Sequence, residues 1–323
     1  MKVCILGTGA FGVALGLNVY ENNHNVVMWT KFDDEANYLL KHRMSPTLPN
    51  VLLDEGIKIS TNLEESIKDS ELIIVVVPAS AVRSTMEEVK KYIKDNQHIC
   101  IASKGIEQDT CKFVYDIVKE IIDTDKISII SGPTFAIDVA NKVPVGLSLA
   151  STNKETINIT KQVLQNNHIK LRETDDIIGV EVCGSIKNVM AIASGMLNGM
   201  NMPISTQSML VTELCNDIKY LIEDMGGYKG TIASFAGFGD IMLTCTSPKS
   251  RNFTLGKLIG SKSKKKVITN YIETNTIEGL YTLKSIAKIL EIKNLNLPIV
   301  NLLNNIIYND YPVDDLITFI MEK

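Results

Sequence analysis

Short, nearly unbroken apolar blocks recur through the first half of the chain, at residues 2–6, 25–29, 72–77, 98–102, 127–131 and 145–150. Between most of them the apolar positions spread out to helical spacing, as at residues 80–93 and 111–122. A strand buried on both faces reads as such a block, so the alternation predicts a parallel sheet covered by helices. One more block, residues 168–173, is expected to close the sheet. After Thr174-Asp175-Asp176 the pattern changes, and strand-like runs nearly vanish. Residues 207–225 carry Leu210, Val211, Leu214, Ile218, Leu221, Ile222 and Met225 at the spacing of one helix face, and Gly226-Gly227 supplies a stop.

The first block, Val3-Cys4-Ile5-Leu6, runs into Gly7-x-Gly9-x-x-Gly12 and then into an apolar helix pattern. Gly7 permits a tight turn, Gly9 lets the backbone approach a pyrophosphate, and Gly12 lets strand and helix pack closely. The free N–H groups at the helix start face the anion. The chain therefore reads as an α/β fold. A Rossmann-type dinucleotide-binding domain is expected over residues 1–176, followed by an all-helical C-terminal domain over residues 177–323. The acidic residue that grips an adenosine ribose usually ends the second strand. Here that place reads Trp29-Thr30-Lys31-Phe32-Asp33-Asp34. Lys31 suits a 2′-phosphate, while Asp33 or Asp34 suits a ribose or simply a helix start, so NAD and NADP both stay open.

Composition narrows the partners. Hydrophobic residues make up 45% of the chain and charged residues 22%, enough for a large core, and the net charge is −4. The one basic run, Lys262-Ser263-Lys264-Lys265-Lys266, reads as a solvated surface turn. Neither a nucleic-acid nor a membrane partner is indicated. Six cysteines show no metal-ligand spacing with the four histidines and read as reduced core residues of a cytoplasmic protein. The chain opens directly on a strand, with no leader pattern expected before it, and the apolar block at residues 72–77 is too short to span a bilayer.

Several segments place polar residues where packing alone would not ask for them. Val77-Pro78, Ser103-Lys104-Gly105 and Gly132-Pro133-Thr134-Phe135-Ala136 each follow a predicted strand. Carboxyl ends of parallel strands are where open α/β sheets bind ligands. In the helical half, Val182, Ile186, Val189 and Ala193 form an apolar stripe, and Lys187 has Cys183, Met190 and Ala191 as helical neighbours. A lysine in that setting either snorkels or serves as a buried acid/base. Gly237-Phe238-Gly239-Asp240, Thr244-Cys245 and Ser250-Arg251-Asn252 follow, and Arg251 carries the planar fork that suits a phosphate.

Together these motifs, with Lys187-Asn188-Val189-Met190-Ala191-Ile192 and Ile277-Glu278-Gly279, closely resemble the bacterial-type NAD(P)-dependent glycerol-3-phosphate dehydrogenases over nearly the whole chain. The resemblance implies reversible reduction of dihydroxyacetone phosphate to sn-glycerol 3-phosphate, feeding glycerophospholipid synthesis. It makes Lys187 the proton donor and acceptor, Lys104 and Asp240 its active-site partners, and Thr244 a substrate neighbour. It makes Arg251 and Asn252, with Ser250 beside them, the phosphate-binding group. Gly132 and Thr134 would touch substrate, and Ala136, Ala10, Phe11, Lys104, Arg251 and Glu278 the cofactor. Asn275-Thr276-Ile277-Glu278 also has the spacing of a helix capping box. Two arginines common in the family are replaced by Gln207 and Glu213. The resemblance implies residues from both domains around one substrate, with a homodimer among the expected assemblies. A reductase of phosphate-free keto acids, or a non-catalytic nucleotide sensor on the same fold, are the rival readings.

Overall fold

The computed structural model describes residues 1–322. The chain forms two units, Met1–Lys104 with Val114–Ile177, and Gly105–Phe113 with Ile178–Lys323. In the first, the apolar blocks become strands: β1 (Lys2–Leu6), β2 (Asn25–Trp29), β3 (Met44–Ser45), β4 (Leu48–Leu52), β5 (Lys58–Ser60), β6 (Leu72–Val75), β7 (His98–Ile101), β8 (Ile127–Ser131), β9 (Val145–Ala150) and β10 (Ile169–Thr174). Eight of them build one sheet in the order β10-β9-β8-β7-β6-β1-β2-β5, and β3 and β4 form a separate hairpin. Strands β6, β7 and β8 are buried along their whole length, as expected of a sheet covered on both faces.

The sheet is not wholly parallel, as the block pattern suggested. β9 runs antiparallel to β8, pairing Ile129 with Ala150 and Ser131 with Ser148. The connection between them, residues 132–144, holds only the short helix Ala136–Ala140. That helix packs on helix α1 (Ala10–Glu21) instead of crossing back along β8. A parallel return needs a full crossover, so the chain comes back the other way. The helix expected from Cys111 starts only at Val114, because Cys111 sits in the left-handed region at φ 57.

In the second unit, the helix Ile177–Gly199 is the one helix among the described residues long and apolar enough to cross a membrane by length and composition. It is instead mostly buried in the protein, the pattern of a core helix. Its partner is the helix Arg251–Gly260, and the two meet backbone to backbone. A Cβ at Gly195 would overlap the Phe253 carbonyl oxygen, and one at Gly199 that of Lys257. Conversely, a Cβ at Gly256 would overlap the Ile192 oxygen, and one at Gly260 that of Met196. Four glycines thus interlock reciprocally, and only a residue without a side chain fits. The expected amphipathic helix spans Ile204–Asp224 and stops before Gly226, whose φ is 94. Half of the basic run departs from the surface-turn expectation: Lys262 lies in a turn and pairs with Asp314 at 2.9 Å, but Lys265 and Lys266 open the helix Lys265–Thr274.

His98, at the start of β7, is 2% exposed and hydrogen-bonds through Nδ1 to Thr156 Oγ1 at 2.8 Å. Burial pushes its pKa below the ordinary 6.5, against the pull of the Glu155 carboxylate; Lys126 lowers it further and Asp125 raises it. The unfolded chain therefore binds a proton that the folded one refuses. Stability from this residue is present above pH 6.5 and is lost as the pH falls through the depressed folded value. Urea unfolding between pH 8 and 5 should show this loss, and His98→Gln should flatten the slope. An unchanged slope in the variant would remove His98 from the account.

Candidate active site

Strand β1 delivers Gly7 into a turn at φ 122, where its N–H donates to Trp29 O at 2.9 Å. A Cβ at Gly12 would overlap Gly7 O, so strand and helix are pressed together there. Gly9 differs: a Cβ there would meet nothing within 4 Å. Packing inside the protein does not ask for glycine at this position, which leaves bare backbone facing open space. Helix α1 begins at Ala10, and no side chain caps it. Its first-turn N–H groups, on Ala10, Phe11 and Gly12, have no carbonyl partner within the helix. The positive end of the helix dipole adds to them. Thr8 is buried in the same loop, with a hydroxyl that has no hydrogen-bond partner among the described residues. This donor set fits a dinucleotide pyrophosphate.

At the end of β2, Lys31 is exposed, and Asp33 and Asp34 are exposed in the first turn of the helix Asp33–His42. The helix-start reading of these two acids holds. Sequence reasoning missed Glu35, whose carboxylate turns back to accept a hydrogen bond from the Thr30 hydroxyl.

Farther along the sheet edge, Ser103 Oγ donates to Val77 O at 2.6 Å, which pins the segments after β6 and β7 together. The half-buried Lys104 reaches Gly132 O with Nζ at 3.5 Å, and Thr134 Oγ1 lies 3.4 Å from the same oxygen. A Cβ on Gly132 would stand 2.6 Å from Gly146 O, so the antiparallel strand β9 explains that glycine. Ala136 opens the short helix after it. Lys104, Gly132, Thr134 and Ala136 thus gather along the carboxyl ends of β7 and β8.

In the second unit, Lys187 is 9% exposed and donates from Nζ to Asp240 Oδ1 at 2.7 Å; Asp240 itself is 1% exposed. Asp240 is the first residue of the helix Asp240–Thr246, which follows a π-helical turn over Phe235–Gly239. Gly237, at ψ −111, kinks that turn, and a Cβ on it would overlap Ile232 O. Thr244, one helical turn on, donates to Asp240 O at 2.6 Å. The pair forms a charge-assisted hydrogen bond out of bulk water, with a transferable proton on Nζ.

Beside it runs a second network. Asn252 donates from Nδ2 to Asn188 Oδ1 at 3.0 Å and accepts from Gly279 N at 2.9 Å. Asn188 donates in turn to Glu278 Oε2 at 3.1 Å. Asn252, which the resemblance places in the phosphate-binding group, is thus tied to Asn188 and Gly279. Asn188, next to Lys187, is the residue sequence reasoning left out. The capping box does not form: the helix Glu278–Lys293 has Ile277 at its cap, and Asn275 donates backwards to Tyr271 O at 3.0 Å. Ser250 caps the Arg251–Gly260 helix by accepting from Phe253 N at 3.3 Å. Arg251 is exposed in the first turn and makes no ion pair among the described residues. Gln207 is buried and donates to Met202 O at 3.1 Å, while Glu213 is half-buried.

A family model described as the NAD-dependent glycerol-3-phosphate dehydrogenase N-terminus matches residues 2–157, and its C-terminal counterpart matches residues 176–318. The chain belongs to the NAD-dependent glycerol-3-phosphate dehydrogenase family. It is 33% identical to glycerol-3-phosphate dehydrogenase [NAD(P)+] of Fusobacterium nucleatum over 96% of this chain and 93% of that one. Against the enzyme of the same name from Neisseria gonorrhoeae it is 32% identical over 100% of this chain and 98% of the other. The crystal structure of glycerol-3-phosphate dehydrogenase from Coxiella burnetii superposes with a TM-score of 0.94 at 28% identity, covering 100% of this chain and 99% of that one. As a glycerol-3-phosphate dehydrogenase, the chain is an oxidoreductase that uses NAD or NADP.

Proposed function

We propose that this chain interconverts dihydroxyacetone phosphate and sn-glycerol 3-phosphate, and that Lys187 moves the proton. The observation that carries this reading is the buried Lys187–Asp240 pair at 2.7 Å, inside a chain whose family reduces a ketone. NADH or NADPH, when bound, supplies the hydride. Lys187 Nζ gives its proton to the C2 oxygen in reduction and takes it back in oxidation. Asp240 holds Nζ in place, and Thr244 steadies Asp240 through its carbonyl. Lys104, Gly132 and Thr134 contact the substrate. Arg251 and Asn252, with Ser250 beside them, take the phosphate, Asn252 being held against Asn188. Gly7, Gly9, Ala10, Phe11 and Gly12 hold the pyrophosphate, with Lys31, Lys104, Ala136, Arg251 and Glu278 as further cofactor contacts. The protein works in the cytoplasm as a homodimer, inserts into no membrane, binds no nucleic acid, and its product supplies glycerophospholipid synthesis.

The test is a spectrophotometric assay with dihydroxyacetone phosphate and either reduced nucleotide. Substrate-dependent oxidation is expected with the phosphorylated ketone and much less with phosphate-free keto acids. Preference for the latter would overturn the substrate assignment, and nucleotide binding without turnover would overturn the enzymatic one.

A further inference from the structure

Residues 241–272 hold seven lysines and arginines and not one carboxylate, in a chain whose net charge is −4. Read as a solvated turn, the basic run within this stretch would bind nothing. The structure gives it a different setting. Lys262 is neutralised by Asp314 at 2.9 Å, but Lys264, Lys265 and Lys266 are exposed and make no ion pair among the described residues. They lead into the helix Lys265–Thr274, whose Val267, Ile268, Tyr271 and Ile272 fall on one side. The protein covers that apolar stripe only in part. None of the ten residues of this helix is buried, and Val267 and Ile272 are 47% and 37% exposed. Among the described residues, every other helix at least as long buries two or more. The lysines do not belong to the phosphate-binding group proposed above. Tyr271 Oη donates to Arg251 O at 3.3 Å, so Lys265–Thr274 folds back along Arg251–Gly260. The lysines therefore lie at the far end of that helix, roughly 14 Å along its axis from Arg251.

We propose that residues 262–274 form a docking surface by which the protein adsorbs reversibly to an anionic lipid bilayer, lying on it without spanning it. Lysines beside a partly covered apolar stripe match both layers that such a surface offers, phosphate headgroups outside and acyl chains just beneath. A nucleic acid would engage the lysines and leave the stripe unused. The sign of the remaining charge sets the orientation. The chain is negative as a whole, so a negative bilayer repels most of its surface and attracts this face. The attraction is short-ranged, because salt at about 0.1 M screens exposed charges beyond about 10 Å.

Sedimentation of the full-length protein with vesicles tests this. The probes are vesicles of equal parts phosphatidylglycerol and phosphatidylcholine, vesicles of phosphatidylcholine alone, and a duplex DNA. The protein should sediment with the anionic vesicles at about 0.1 M salt, and should be released from them at about 1 M, where the screening length falls to about 3 Å. It should ignore the neutral vesicles. Each lysine near an anionic surface is worth roughly fivefold in partitioning, so the triple variant Lys264→Gln, Lys265→Gln, Lys266→Gln should bind about a hundredfold more weakly. The double variant Val267→Ser, Ile272→Ser keeps every charge and loses only apolar contact, and should bind about tenfold more weakly. All five positions are exposed, so the variants should unfold at the same urea concentration as the parent protein. No sedimentation with the anionic vesicles would overturn the proposal, as would equal sedimentation with the neutral ones. Binding that is lost with the lysines, indifferent to Val267 and Ile272, and matched by the duplex DNA would also overturn it, and would make the run a general polyanion site.

Discussion

Replacing Lys187 with methionine is expected to lower turnover by roughly 10²–10⁴-fold, the scale on which a positioned general acid or base contributes. Nucleotide binding should change little, because Lys187 is not among the proposed cofactor contacts. The structure adds a second effect. Asp240 is 1% exposed, and Lys187 donates to it at 2.7 Å. Removing one partner of a buried ion pair strands the other charge and costs about 3–5 kcal/mol. The single variant should therefore be both slow and destabilised, and slowness alone would prove nothing. The double variant Lys187→Met with Asp240→Asn separates the two effects. It removes both charges, so denaturant unfolding should recover most of the lost stability, while the rate stays as low as in the single variant. A rate that returned together with stability would mean the pair only holds the fold.

The next largest effect is expected at Arg251. Arg251→Lys should raise the KM for dihydroxyacetone phosphate, and Arg251→Ala should raise it further. A point charge lacks the two parallel donors of the guanidinium. Losing one partner of a desolvated charged contact typically costs about 2–5 kcal/mol. Arg251 is exposed and its helix is capped by Ser250, so folding should be affected by no more than about 0.5 kcal/mol, as for most surface substitutions. Turnover of unphosphorylated dihydroxyacetone, which has no phosphate to lose, should change much less. The two substrates thus serve as one arm of a double-mutant cycle. Equal losses on both would withdraw Arg251 from phosphate recognition.

The elements that carry their own local signal were readable in the sequence. The strand–Gly7-x-Gly9-x-x-Gly12–helix unit is set by turn chemistry and periodicity within a few residues. The small and apolar residues around Lys187 on one helix marked it as either snorkelling or buried, and the structure buries it. What stayed hidden depends on chain paths. The Lys187–Asp240 pair spans a separation of 53 residues that no periodicity encodes, and only the family resemblance named it. The direction of β9 depends on where the segment before it travels. The resemblance named Asn252 beside Arg251, but its bond to Asn188, 64 residues away, carries no local signal. Glu35 was passed over in favour of Asp33 and Asp34 because linear order says nothing about which carboxylate folds back on Thr30. The four interlocking glycines, Gly195 with Gly199 and Gly256 with Gly260, were not singled out in the sequence, because a spacing of four does not show that two helices face each other.

Those glycines have a consequence for how the molecule can change. Lys187 and Arg251 sit on the two helices that touch through bare backbone, and where the glycines meet, the helices' approach is set by peptide dimensions, which do not vary with sequence. Where side chains meet, a larger residue on one helix can be offset by a smaller one opposite. Where carbonyl oxygens already lie where a Cβ would go, nothing smaller is available opposite. A substitution at any of the four positions should therefore have few or no second-site suppressors, however widely the rest of the chain drifts. The approach of the two helices is inherited as a fixed length, and variation is left to the residues hung upon them.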